Sequence, residues 1–314
     1  MRHSKIIVIV AVLAALFLIT ASAVADEKYE EKFDKTETMA LDGKVTLSNI
    51  SGDVVVRTWD KGEVKIEGVK LSRAASLDKA KENASLVTIE VTKLDNGVQI
   101  KAKYPEGIGH RHTNVSVNFT LTIPAKGGLD AKTVSGDVKV EKIGGPLKAG
   151  SVSGNVTVLA AAKGVDAHTV SGDVTVSDVT GDVYIKSVSG NAKADRVTGS
   201  IEAETVSGDV KLWNISEAKT VSAKALSGNV TYEGKLNKEG RYTFKAHSGD
   251  IEVTVPAESA FEFSAQTFSG DISTEFKVEV TGKISKKEVH GTVNGGGADL
   301  QLKAFSGNVH LKKG

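Results

Sequence analysis

No cysteine occurs anywhere in this chain, and proline, methionine and tryptophan are nearly as scarce, at 4, 2 and 2 copies. Without cysteine there is no disulfide framework, no thiol chemistry and no cysteine for lipid attachment. Aromatic residues make up only 5% of the chain, and no sign of charge dominates, with 40 Lys and Arg against 39 Asp and Glu. A body this close to neutral gives no electrostatic reason to expect nucleic acid as a partner. Long hydrophobic runs are missing too, with one exception at the start of the chain. What is plentiful is glycine, at 32 copies, among 40% hydrophobic residues in which valine is prominent. That mixture suits many short strands joined by tight turns better than it suits a bundle of helices.

The exception reads as an export signal. Arg2, His3 and Lys5 form a basic start, Ile6 to Ile19 is an unbroken apolar stretch, and Ala23-Val24-Ala25 supplies a cleavage site before Asp26. Residues 1–25 are therefore expected to be a signal peptide. The same segment is also about long enough for an uncleaved membrane anchor. No second apolar run follows, so the remainder is expected to be soluble and extracytoplasmic, periplasmic or at the cell surface. It is expected to touch a membrane only through the signal segment if that is kept.

The strongest signal is an internal repeat. A Ser-Gly-Asp or Ser-Gly-Asn triplet begins at Ser51, Ser135, Ser153, Ser171, Ser189, Ser207, Ser227, Ser248, Ser269 and Ser306. From Ser135 to Ser207 the step is 18 residues, and the next three steps are 20, 21 and 21. Weaker versions, Thr180-Gly181-Asp182 and Thr198-Gly199-Ser200, fall midway, which divides the unit into halves of nine. Each half carries apolar residues at i and i+2, the spacing that places side chains on one face of a strand. A third apolar residue follows, and it is expected to plug the corner. Examples are Val174/Val176/Val179, Val183/Ile185/Val188, Leu129/Ala131/Val134 and Leu300/Leu302/Phe305. Strands so short are not stable alone, but stacked coils bury one continuous core.

These patterns predict an all-β fold: a single-chain parallel β-solenoid with 18-residue coils of two nine-residue half-coils. The solenoid is expected over 39–314, after a short N-terminal lead at 26–38, with a helix-and-hairpin insertion at about 70–124 covering one open end. Within that insertion, Ser76 to Leu86 reads as a short amphipathic helix with Ser76 as its N-cap and Leu77, Ala80 and Ala84 on one side. Leu94-Asp95-Asn96-Gly97 reads as a hairpin turn. The aromatic residues Tyr232, Tyr242, Phe244, Phe261, Phe263 and Phe268 are expected to fill a wider end of the core. Residues 273–297 break the register before the last coil.

The triplet has a structural explanation, since its glycine fits a positive-φ turn and its Ser and Asp or Asn can bond nearby backbone. The third position runs Asp137, Asn155, Asp173, Asn191, Asp209, Asn229, Asp250, Asp271, Asn308. If these side chains form a turn ladder, alternating Asn with Asp separates the carboxylates and offers each an amide donor.

Chemistry is harder to find. Nine-residue halves also build calcium-binding rolls, but the second glycine pair is missing and half the acids are amides, too few oxygens for the ion. Asp250 and Asp271 are expected one coil apart, near the spacing of a retaining glycosidase pair, yet these turns lack the long loops such enzymes use. His110 and His112 could share a strand face around a metal, with no third or fourth ligand nearby. No Ser/His/Asp arrangement, phosphate-binding loop or dinucleotide fingerprint is present. No catalytic residue, metal or cofactor is expected.

The sequence resembles the adhesin-type β-strand-repeat family of bacteria and archaea, the toastrack domains (domain of unknown function 4097). The resemblance is carried by Phe33-Asp34-Lys35, the stretch Val45 to Val54, Arg57-Thr58-Trp59-Asp60, Leu121-Thr122-Ile123-Pro124, the repeated Thr-Val-Ser-Gly-Asp-Val, and Gly291 to Leu300. It implies a β-solenoid displayed outside the cytoplasm, with no catalytic residues to carry over. The function it implies is a scaffold or adhesin that presents a repetitive polar surface to a cell-envelope protein or glycan. The alternatives are an envelope-stress sensor or assembly module acting through a membrane protein, and a polysaccharide-cleaving β-helix enzyme.

Overall fold

The computed structural model describes residues 26–105, 114–280 and 285–314. The signal segment and the His110/His112 pair lie outside them. The N-terminal part forms β1 (Glu27–Thr38), β2 (Lys44–Ser48), β3 (Val54–Trp59), β4 (Glu63–Ala74), α1 (Leu77–Ser85), β5 (Thr88–Leu94), β6 (Gly97–Lys103) and β7 (Val115–Pro124). Regular windings follow as β8 (Gly128–Ser135), β9 (Val138–Ile143), β10 (Leu147–Ser153), β11 (Val156–Ala161), β12 (Val165–Ser171), β13 (Val174–Thr180), β14 (Val183–Ser189) and β15 (Ala192–Thr198). They continue as β16 (Ile201–Ser207), β17 (Val210–Ser216), β18 (Thr220–Ser227), β19 (Val230–Gly234), β20 (Arg241–Ser248) and β21 (Ile251–Val255). The chain closes with β22 (Phe261–Ser269), β23 (Ile272–Thr274), β24 (Glu279–Val280), β25 (Glu288–Val293), β26 (Ala298–Ser306) and β27 (Val309–Lys313).

Each winding contributes one strand to a 13-stranded sheet and one to a 14-stranded sheet. Equivalent residues stack in parallel register: Val138 pairs with Val156 and Val156 with Val174 in one sheet, while Leu147 pairs with Val165 and Val165 with Val183 in the other. Most inward positions are Val, Ala, Ile and Leu, and they form one continuous core. Toward the C-terminal windings the core is filled by Tyr232, Tyr242, Phe244 and Phe261, all fully buried. The architecture is thus the parallel β-solenoid that the 18-residue repeat predicts.

Three differences follow from pairing that a linear repeat cannot reveal. Residues 27–38, expected as a lead, form the edge strand β1, antiparallel to β4. Its run of Lys and Glu blunts an edge that would otherwise recruit other strands. Residues 115–124, expected within an insertion, form β7, which pairs with both β3 and β4 inside the sheet. The cap is therefore β5, β6 and α1, and Ser76 Oγ accepts from the Lys79 amide at 3.3 Å to start the helix. Ala80 and Ala84 are buried, but Leu77 is exposed.

The third difference is the order of the last windings. β26 lies between β20 and β22, and β27 between β21 and β23, so the final coil is slotted between the two that precede it in the chain. After β23 the chain turns back through β24 and β25, and β25 runs antiparallel along the outer edge of β22. Asn294 to Gly297, all with positive φ, then carry it over the end of β22 to that strand's inner edge. The Asn294 amide pins the crossover on the carbonyls of Ala257 (3.2 Å) and Ser259 (2.9 Å). Among the described residues no helix is long and apolar enough to cross a membrane.

Candidate interaction surface

The Ser-Gly-Asp/Asn corners stand directly over one another, and their glycines make the close approach possible. Gly190 has φ +149°, and a Cβ there would lie 2.0 Å from the Gly172 carbonyl oxygen of the winding below. Only glycine fits both the backbone conformation and the gap.

The third triplet position forms a hydrogen-bonded column. Each backbone N–H donates to the side-chain Oδ1 of the winding before: Asn155 to Asp137 (2.7 Å), Asp173 to Asn155 (2.9 Å), Asn191 to Asp173 (2.8 Å) and Asp209 to Asn191 (2.9 Å). The series goes on with Asn229 to Asp209, Asp250 to Asn229, Asn308 to Asp250 and Asp271 to Asn308, at 2.7–3.0 Å. The bonds run between coils rather than to nearby backbone, as the turn chemistry alone suggests. In chain order the column would place Asp271 beside Asp250; in space Asn308 separates them, and Asp and Asn alternate without a break from Asp137 to Asp271. Two more members extend the other end: Asp137 N–H donates to Asp53, and Asp53 N–H to Asn118 of β7, both at 2.9 Å. Asn118 has no triplet around it, so only strand pairing reveals it. Burial alone would raise the Asp173 carboxyl pKa, but hydrogen bonds from the Asn191 backbone, Lys193 and the Asn191 amide hold it below the usual carboxylate value.

The residue two before each triplet points inward. Ser151, Thr169, Ser187 and Thr205 donate to the glycine carbonyl of the preceding winding at 2.8–2.9 Å. Strict alternation then turns the residue immediately before the triplet outward. Val134, Val188 and Phe305, expected as corner plugs, are therefore exposed, Val134 at 46%. The other half-coil escapes this parity because one residue, such as Asp178 at φ +56°, adopts the left-handed conformation and shifts the next side chain by one. Val179 is accordingly buried at 2%.

The consequence is an apolar ridge that sequence reasoning missed. Strand pairing gives its spatial order as Ile50, Val134, Val152, Val170, Val188, Val206, Leu226, His247, Phe305 and Phe268. Phe268, expected in the core, is the most exposed large apolar residue, at 73%. Its ring stacks on Phe305 at 5.0 Å, and Phe305 on His247 at 4.7 Å, with interplanar angles of 5° and 10°. The signal for the ridge lay in the sequence, in the apolar residue that precedes nearly every triplet.

Two residues before the ridge, on the same outward face, runs a basic row that includes Lys132, His168, Lys186, Lys224, Lys245 and Lys303. A shallow trough of about 460 Å³ lies between this row and Val206, Leu226, His247 and Phe305. Lys224 bonds Glu204 at 2.6 Å and Glu202 at 3.2 Å, whereas Lys245 and Lys303 make no ion pair among the described residues.

The remaining chemical candidates come apart. Asp250 and Asp271 are two windings apart, roughly 9.6 Å at the parallel-sheet spacing, and Asn308 fills the interval. That is too wide for a retaining pair and leaves no room for a substrate between them. Every ladder Oδ1 from Asp137 to Asn308 is occupied by a backbone N–H, whereas the Asp271 carboxylate at the end of the ladder is exposed beside Lys287 at 3.9 Å. No three His, Asp or Glu side chains converge for a metal among the described residues.

The family model described as Toastrack DUF4097 matches residues 28–184, 165–239 and 216–312. Among curated proteins none matches the chain. Among solved structures, a candidate adhesin from Bacteroides fragilis NCTC 9343 is 13% identical, with 90% of this chain and 97% of that chain covered and a TM-score of 0.40. A candidate adhesin from Parabacteroides distasonis ATCC 8503 is 15% identical, with 90% and 97% covered and a TM-score of 0.35. A candidate lipid-binding protein from the same strain is 10% identical, with 90% and 96% covered and a TM-score of 0.35.

Proposed function

This chain belongs to the Toastrack DUF4097 family, and from that premise we propose that it is an exported, non-catalytic scaffold of adhesin type. Residues 1–25 direct its export, and the solenoid presents repeated outward rows to a cell-envelope protein or glycan. The observation that carries this reading is the repetition itself: every winding offers the same sequence of outward positions about 4.8 Å from the next. A weak contact made by one coil is thereby repeated along the axis, which suits multivalent binding rather than a single deep pocket. Of the two carboxylates that a hydrolytic reading would use, that of Asp250 is tied into the ladder, and Asn308 stands between it and Asp271.

The test is to treat intact cells with protease and to measure the mass of the protein in the envelope. A chain beginning at Asp26, cut on intact cells and retained on whole cells or envelope glycans, supports the proposal. Full-length protein confined to the cytoplasm would refute export. Product release from a polysaccharide panel, abolished by Asp271→Asn, would refute the non-catalytic reading. Dependence on one integral-membrane protein for envelope retention would replace the adhesin with the sensor.

A further inference from the structure

We propose that the ridge is the interface of a parallel twofold dimer, its occupant a second copy of this chain. The argument begins with what flanks it. On one side runs the basic row of Lys132, His168, Lys186, Lys224, Lys245 and Lys303; on the other, past the Ser-Gly turn, runs the column holding Asp137, Asp173, Asp209, Asp250 and Asp271. Within the row Lys224 and Lys186 pair with Glu204, Lys132 with Asp130 and His168 with Asp166, so among the described residues its unpaired positive charge is carried by Lys245 and Lys303. A strip ordered positive, apolar, negative is complementary to itself under one rotation: a twofold axis parallel to the ridge. That rotation exchanges left for right while keeping every winding at its own level, so Lys245 meets the level of Asp250 of the second copy and Lys132 that of Asp137. A twofold across the ridge would set lysine against lysine. Self-complementarity of this kind is what an isologous interface requires.

The dimensions are modest. Ten ridge positions at about 4.8 Å span roughly 43 Å, and the distance from basic row to acidic column is about 15 Å along the strand and turn. The strip thus covers at most roughly 650 Å², below the ~800 Å² per partner of a standard interface. Its end carries the stacked Phe305 and Phe268, which under this axis face their own counterparts and supply aromatic anchors. Phe305 is sandwiched between His247 and Phe268 and presents its edge, which suits apolar side chains. The acidic column on the second flank would repel an anionic lipid surface.

The chain's lack of cysteine makes the arrangement directly testable. Val152→Cys and Leu226→Cys sit at well-separated levels of the ridge, and each would be treated with a short bismaleimide, since packed sheets stand about 10 Å apart. Both variants are expected to give homodimers in similar yield, because each residue faces itself. Cross-linking at neither position, or of Val152→Cys only to Leu226→Cys in a mixture, would overturn the parallel dimer. Sedimentation of the unmodified protein at micromolar concentration is expected to show a dimer. Leu226→Asp with Phe305→Asp should give a folded monomer whose melting temperature no longer depends on protein concentration, and Lys245→Glu should raise the dissociation constant about tenfold. An unmodified protein that sediments as a monomer refutes the proposal, and flotation of that monomer with phosphatidylglycerol vesicles would assign the ridge to lipid instead.

Discussion

At the scale of single residues, the corner glycines divide into two kinds that sequence alone cannot distinguish. Gly190 combines φ +149° with a Cβ position 2.0 Å from a carbonyl oxygen, whereas Gly295 has φ +84° and nothing within 4 Å of its Cβ position. Conformational strain alone costs about 1–3 kcal/mol. Gly295→Ala should therefore lose about 1 kcal/mol of stability in urea unfolding, and Gly190→Ala clearly more, because two windings must part to admit the methyl. Equal losses would mean that the stacked corners are not in contact. The neighbouring valines teach a related lesson. Val179 and Val188 occupy equivalent places in the nine-residue grammar, yet one is buried and the other exposed. The deciding event is the left-handed conformation of Asp178, which shifts side-chain parity by one. Nothing in the local residue types announces it, since Lys142, Ala160, Arg196 and Asn214 do the same at their levels.

At the scale of elements, the Asp/Asn column ties strand to strand along the whole axis, and its alternation has a pH signature. Asn229→Asp keeps an oxygen for the Asp250 N–H but sets three carboxylates in succession at Asp209, residue 229 and Asp250. Mutual repulsion penalises the fully charged column in the folded state and protonation relieves it, so the variant's stability falls as the carboxylates ionise. The variant should be less stable than the unmodified protein by about 1–3 kcal/mol at pH 7. The difference should shrink toward zero as the pH approaches 3. Asn229→Ala, which instead leaves the Asp250 N–H without its acceptor, should lose about 1 kcal/mol at either pH. Urea unfolding at the two pH values separates them. The column's composition was legible in the sequence because alternation has no use in an isolated turn. Its direction of bonding was not, since a turn that bonds locally and one that bonds to the next coil use the same residues.

At the scale of the molecule, periodicity revealed the solenoid but not the order of its windings. A repeat specifies which residues are equivalent; it leaves open which equivalent coils become neighbours. The chain resolves this by laying β26 and β27 between two earlier windings, and the alternation of Asp250, Asn308 and Asp271 is one consequence. A chain ending at residue 297 would keep β22 and β23 but remove the strands that join them to β20 and β21. Direct stacking of the orphaned winding on its predecessor would put Asp271 against Asp250, a second carboxylate contact in the column beside that of Asp53 with Asp137. The expected outcome is detachment: limited proteolysis should cleave such a chain between residues 257 and 297. A chain ending at residue 256 should resist at the same protease concentration, because its stack is continuous through β21. Equal resistance of both would show that the windings can also stack in chain order. The slotted last coil would then be a preference of packing rather than a requirement of the fold.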